Sequence, residues 1–260
     1  MSRSFSAIWF ERFGVTPDFE FPDLADALDR RSARDFTGDP LDPALLEALV
    51  GVALSGSTTC GLQTWSVISV EDPALRHQIS EWSARQEHVE LAPTFLVFCA
   101  DLSRAERLGG DPDALDLTEF FLMAVMDATV AAERLVRAAE SRGLGASYLG
   151  SFRNRIAGVA DALGLPSRVA PLFALCLGET ASIGPLRPRL KPVDVLHVNR
   201  YVPQEDIEGY DERMQPYFEQ LTRKDPATWS DRLRDRLIRH HAEGREDLLP
   251  WLQSQGLARR

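Results

Sequence analysis

The chain has 260 residues, 44% hydrophobic and 26% charged, with a formal net charge of -10 and a pI near 5.1. That length supports one large domain or two small ones with a sizeable core, and the acidic balance argues against a nucleic-acid surface, which needs a basic stripe. Three widely spaced cysteines, Cys60, Cys99 and Cys176, match neither a disulfide framework nor a zinc site.

The opening MSRSFSAIWFERF lacks the apolar core and cleavage site of a signal peptide, and residues 1 to about 22 read as an irregular arm punctuated by Pro17 and Pro22. A short helix is expected over Asp23–Arg31. Asp42-Pro43 starts the next helix, with Asp as cap and Pro at the first helical position, and Leu45, Leu46, Leu49 and Ala53 carry it to Gly56. Thr64–Asp72 alternates and is rich in β-branched residues, as a strand does. Pro73–Ala84 reads as helix, and Pro93–Asp101 as a strand buried on both faces. Leu115–Arg142 is the dominant helix, closed by Gly143. Its apolar centre is interrupted by Asp127 and is too short to span a bilayer, so a soluble, cytoplasmic protein is expected. SYLGS follows as a short strand or turn, then a helix over Arg153–Leu163 and a buried strand over Leu172–Glu179. Beyond Pro203 the chain turns helical and charged, with DERMQPYFEQL, SDRLRDRLIRHH and EDLLPWLQSQ as segments. About four strands against at least seven helices describe an α+β or α/β domain with a helical C-terminal extension.

The arginines stand out in this acidic chain. RRSARDFTG places Arg30, Arg31 and Arg34 around Ser32, and RPRLK adds Arg187 and Arg189. Scattered arginines often form nothing but a solvated surface. Guanidinium forks next to a hydroxyl, however, suit phosphate oxygens, and two basic islands on an acidic chain point to a small phosphorylated cofactor. GSTTCGLQTW, between a helix end and a strand start, is a loop whose backbone a ligand can approach, although an ordinary turn explains it as well. Cys60 as a nucleophile is disfavoured because no local histidine signature accompanies it. GLGASYLG has neither the spacing nor the strand-before-loop order of a dinucleotide fingerprint. Cys99 and Cys176 read as inert core thiols, and Asp127 as a satisfied interhelical polar group. With no self-sufficient acid–base or nucleophilic set, the chemistry is expected to come from a cofactor.

RRSARDFTGDPLDPALLEAL, STTCGLQTWSVISVEDPALR, RQEHVELAPTFLVFCAD, GLGASYLGSFRNRI, PLFALCLG, LRPRL and TWSDRLR, in this order, resemble the FMN-dependent nitroreductase family. Within it they look like the subgroup of oxygen-insensitive NADPH nitroreductases and NADPH–flavin oxidoreductases. The likeness runs from about Leu24 to the end. It implies a three-layer α-β-α fold of the α+β class, with a mainly antiparallel sheet, in an intertwined homodimer. The implied segments are an arm (1–22), an FMN-binding core (23–203) and a helical excursion (204–260) packing on the core or the partner.

The resemblance also assigns roles. Arg30, Arg31 and Ser32 match the positions that hold the FMN phosphate and ribityl chain, and Arg187 and Arg189 match a second phosphate pair. Arg34 falls where a cation stabilises the reduced flavin, and Gln86 where a glutamine meets the ring. Ser57, Thr58 and Thr59 match an FMN-binding loop donated by the partner subunit, Gln63 is a further FMN-binding candidate, and Tyr148, Leu149, Gly150 and Ser151 fall along the isoalloxazine. Arg223 and Lys224 are the candidates for NADPH binding, in a loop shorter than the subgroup's. The implied activity is ping-pong, two-electron reduction of nitroaromatics, quinones or related aromatic acceptors by NADPH or NADH, with the chemistry at flavin N5 and no protein acid–base residue. An FMN reductase, or a flavin-binding sensor with negligible turnover, is the alternative.

Overall fold

The computed structural model describes residues 3–38, 40–203, 207, 209–221, 228–238 and 245–260. Its helices are α1 (Phe5–Phe13), α2 (Ala25–Leu28), α3 (Pro43–Leu54), α4 (Pro73–Trp82), α5 (Glu87–Leu91), α6 (Ser103–Arg107), α7 (Pro112–Leu115), α8 (Thr118–Glu140), α9 (Ile156–Ala162), α10 (Tyr210–Gln220), α11 (Trp229–Ile238) and α12 (Leu248–Ser254). Its strands are β1 (Asp35–Phe36), β2 (Trp65–Ser69), β3 (Thr94–Asp101), β4 (Gly145–Leu149), β5 (Val169–Gly178) and β6 (Thr180–Ser182). Two compact units divide the chain: one runs through Arg31 and resumes at Gly184, and the other holds Ser32–Ile183 and the last residues to Arg260.

The second unit is built on an antiparallel sheet in the order β2-β3-β5-β4, with β1 and β6 pairing as a separate ribbon. Every residue of β3 is buried, and successive side chains enter opposite cores. Phe95, Val97 and Cys99 pack with Ile79, Val89 and Val159, from α4, α5 and α9. Leu96 and Phe98 pack with Leu49 and Ala53 of α3 and with Ala128, Ala132 and Leu135 of α8. The sheet is therefore covered on both faces, which makes three layers of α, β and α. A third cluster joins Ala100 and Leu102 to Leu252 and Leu257 near the C-terminus. Buried Arg168 braces that end through Asp116 at 2.6 Å and Glu106 at 3.1 Å. No helix among the described residues is long and apolar enough to cross a membrane.

Several sequence readings are corrected. The arm is not irregular: it contains α1, capped by the Ser4 hydroxyl accepting from the Ala7 N–H and closed by Gly14 in the left-handed region at φ 73°. The Thr64–Asp72 strand ends at Ser69, because Asp72 caps α4 and Pro73 opens it. The Arg153–Leu163 helix becomes α9 only from Ile156, preceded by a tighter turn over Ser151–Arg155. The strand read over Leu172–Glu179 begins earlier, at Val169. Burial pushes the Cys99 and Cys176 thiols up to about 12, in keeping with inert core cysteines.

In the first unit, α1 packs Phe5 and Ile8 against Ala25 and Leu186, with Trp9 and Leu28 at the margin. An aromatic group of Phe5, Trp9, Phe13, Phe19 and Phe21 surrounds it. In α10, Tyr210 stacks edge-on against Trp229 of α11.

Candidate functional site

In the first unit the two basic motifs of the sequence come together around a residue not singled out from it, Arg12. This buried guanidinium donates to the carbonyls of Leu28 (2.6 Å), Arg30 (2.8 Å) and Arg187 (2.9 Å). The Arg189 N–H returns a bond to the Arg12 carbonyl at 2.7 Å. Burial, then the charges of Arg189, Arg31 and Arg30, push Arg12 down to about 10 against the opposing pull of Asp29. Asp29 itself pairs with Arg31 at 2.7 Å and Arg3 at 3.0 Å. Arg187 lies over the Tyr217 ring, 5.9 Å from its centroid. The Nε atoms of Arg31, Arg187 and Arg213 are buried and have no hydrogen-bond partner among the described residues. Converging cations with buried donors unused among the described residues suit an anion, and a phosphate, with several acceptor oxygens and up to two negative charges, fits them.

In the second unit the remaining predicted residues fall into two sets. Ser32 pairs with Ala146 in an isolated parallel bridge, and the Ala33 N–H donates to the Ala146 carbonyl at 3.0 Å. Gly145 permits that approach, since a side chain there would run into Ala33 and Thr180. The same strand continues into Tyr148, Leu149 and Gly150, and then Ser151. Gln86, at the start of α5, donates to the Ser151 hydroxyl at 2.7 Å and to the Ser83 carbonyl at 3.0 Å. Leu149 is buried in the core, so only its backbone is offered to a ligand, whereas Tyr148 is exposed and its hydroxyl donates to Glu133 at 3.1 Å. Burial first, and the charge of exposed Arg34 second, hold the His88 imidazole below its ordinary value. The geometry is a backbone edge with a glycine, a serine and a glutamine along it, suited to a flat polar ring.

The other set is the loop Ser57–Gln63. Asp127 is satisfied, as its position on α8 suggested, but its partners are on this loop and not on another helix. One oxygen accepts from the N–H (2.7 Å) and hydroxyl (3.0 Å) of Thr59, and the other from the N–H (3.2 Å) and hydroxyl (3.0 Å) of Thr64. Between these anchors Cys60 and Gln63 take left-handed backbone angles, at φ 51° and 53°. Ser57, Cys60, Leu62 and Gln63 are exposed, and Thr58 is half-buried. A cavity of about 1030 Å³ elsewhere in this unit, lined by Glu81, Trp82, Asn154, Arg155, Asp247 and Trp251 among others, includes none of the residues singled out from the sequence. Arg223 and Lys224 lie outside the described residues.

Arg12 was missed because its neighbours in space are distant in sequence. The one local signal was an arginine in a segment framed by a capping serine and a closing glycine.

Comparison with known proteins adds an independent line. Residues 27–179 match the family model described as the nitroreductase family, and residues 187–260 match that of its C-terminal domain. The oxygen-insensitive NADPH nitroreductase of Salmonella typhimurium is 41% identical over 236 residues, covering 88% of this chain and 95% of that one. The NADPH-flavin oxidoreductase of Vibrio harveyi is 36% identical over 236 residues, covering 90% and 97%. Among solved structures, nitroreductase A from Vibrio parahaemolyticus superposes with a TM-score of 0.83 at 36% identity, covering 91% of this chain and 98% of that chain.

Proposed function

Because this chain belongs to the nitroreductase family, we propose that it is an FMN-dependent NAD(P)H oxidoreductase that delivers electrons in pairs to nitroaromatics, quinones or related aromatic acceptors. The observation that carries this reading is the group of converging arginines around Arg12, whose unused donors call for a phosphate.

Arg30, Arg31, Arg187 and Arg189 would hold the FMN phosphate, with Ser32 near the ribityl chain. Gln86, Ser151 and the backbone of Tyr148–Gly150 would orient the ring. When bound, FMN would supply the two-electron chemistry between the nicotinamide and the acceptor. Arg34 contributes positive charge that favours an anionic ring, an electrostatic role that needs no proton transfer by the protein. The loop held by Asp127 would bring Ser57, Thr58, Thr59 and Gln63 to the FMN, and no member of these sets is asked to act as an acid or a base.

A homodimer is supported by α8 itself. Leu122, Met126 and Val130, spaced by four residues, form an exposed apolar stripe on a helix whose opposite face is core, and Val52 and Leu54 of α3 are exposed as well. A stripe of this kind on a central helix is suited to a second copy of the chain. A flavin reductase that releases reduced FMN is the second reading, favoured by the likeness to the V. harveyi flavin oxidoreductase.

The test is a visible spectrum of the purified protein before and after anaerobic NADPH or NADH. A flavin spectrum that bleaches, followed by steady nicotinamide oxidation when an aromatic acceptor is added, is the expected result. Colourless protein that does not take up FMN would sink the reading. A single round of reduction without turnover would point to a sensor.

A further inference from the structure

We propose that Arg12 is a positioning residue of the phosphate site, locking the Arg30–Arg31 and Arg187–Arg189 segments into one arrangement from a helix outside both family-model matches. The proposal rests on the functional reading above and adds a residue and an element to it.

The buried residues of α1 are Phe5, Ile8 and Arg12, spaced by three and four residues and so on one face. The two apolar members pack on Leu186, which directly precedes Arg187, with Leu28, two residues before Arg30, at the edge of the cluster. The third member completes the fastening: its Nη atoms reach carbonyls of both basic segments, Leu28 and Arg30 on one side and Arg187 on the other. The Arg12 carbonyl accepts from Arg189. One residue therefore contacts the main chain of Arg30, Arg187 and Arg189. At its far end α1 is closed by Gly14, where a side chain would run into Arg213, so the helix and α10 are also in close apposition.

Arginine is a costly choice for a purely structural brace here. A neutral amide can also donate to carbonyls, without adding a buried cation to a group already crowded with positive charge. The guanidinium fork does two things an amide cannot: it spans three separate carbonyls, and it adds to the positive potential of the site. Its hydrogen bonds go to the backbone, which leaves the neighbouring guanidiniums to face a ligand. Arg12 acts through those neighbours.

FMN and riboflavin differ by the 5′-phosphate, so the pair separates a phosphate-positioning role from a general one. Each is titrated into the full-length, flavin-stripped protein by fluorescence quenching, for the wild type, Arg12→Gln and Arg12→Lys, with circular dichroism as a check on folding. The wild type is expected to bind FMN more tightly than riboflavin. Arg12→Gln is expected to lose about tenfold in FMN affinity, the worth of one charge-assisted hydrogen bond, while riboflavin affinity stays as in the wild type. Lysine is not expected to rescue it, because a single ammonium does not span three carbonyls. Should the glutamine variant not fold, the lysine variant carries the same comparison. Unchanged FMN affinity, parallel losses for both flavins, or full rescue by lysine would each overturn the proposal. A wild type that binds the two flavins equally would instead overturn the phosphate assignment beneath it.

Discussion

Strand β3 and helix α1 illustrate two ways of holding a protein together. In β3 all eight residues are buried and their side chains feed apolar clusters on both faces of the sheet. Around α1 the apolar cluster is small, and what fastens the adjacent segments is a buried cation donating to carbonyls amid other cations. The first arrangement is stable by itself, since apolar burial needs no partner beyond the fold. The second gathers arginines around the carboxylate of Asp29 and keeps buried donors that have no partner among the described residues, so an anion bound there would add to its cohesion. The difference teaches that the scaffold and the anion site answer to different perturbations.

The sharpest way to break this comparison is to hollow the sheet. Phe98→Ala empties a fully buried position and is expected to cost about 3–5 kcal/mol in urea unfolding, whether or not FMN is present. A cost below about 1 kcal/mol would show that the core collapses into the space. Next comes Asp127→Ala, which strips both thread-points of the Ser57–Gln63 loop and leaves Thr64 buried without its acceptor. Roughly 3 kcal/mol of destabilisation is expected by the same measurement, because the bonds lost are to a charged group.

The anion site is probed more gently. Inorganic phosphate, at a few times its Kd and compared with chloride at equal ionic strength, is expected to stabilise the flavin-free protein by about 1 kcal/mol. Arg187→Gln should remove that difference in thermal melts, and its persistence would place the phosphate elsewhere.

The smallest effect concerns His88. Burial first, and the Arg34 charge second, hold its imidazole below 6.5 in the folded protein. The unfolded chain therefore takes the proton first as pH falls. The contribution to stability is complete above 6.5 and is lost from there down to the lowered folded value. Melting temperatures measured across that range should fall less in His88→Gln than in the wild type, and superimposable curves would remove His88 from the account.

Much of the scaffold was legible. The apolar run of β3, the length of α8 and the Asp42-Pro43 start of α3 each state their structure locally, and tertiary packing agrees with them. The ribbon of β1 and β6 was not legible, because strands of two and three residues carry no periodicity and exist only through each other. Helix α1 was hidden for a different reason: its buried face ends in an arginine and its exposed side carries Phe10, so the apolar pattern is blurred. The site follows the same division. Arg30, Arg31, Arg187 and Arg189 announced themselves by type and spacing. The loop that engages Asp127, the imidazole beside Arg34 and the carbonyls reached by Arg12 are facts of proximity between remote segments.

The Asp127 clamp has a practical corollary for redesign. A single carboxylate fastens the loop at Thr59 and Thr64, so the loop's shape is separated from the identity of its outward residues. Cys60 and Leu62 are exposed between the two fastened points, which makes them the natural positions for substitutions that leave the frame in place. Cys60 tolerates best the replacements that accept its left-handed backbone, asparagine and glycine above all. Thr59 and Thr64 belong to the hinge pins of that frame and are best left fixed.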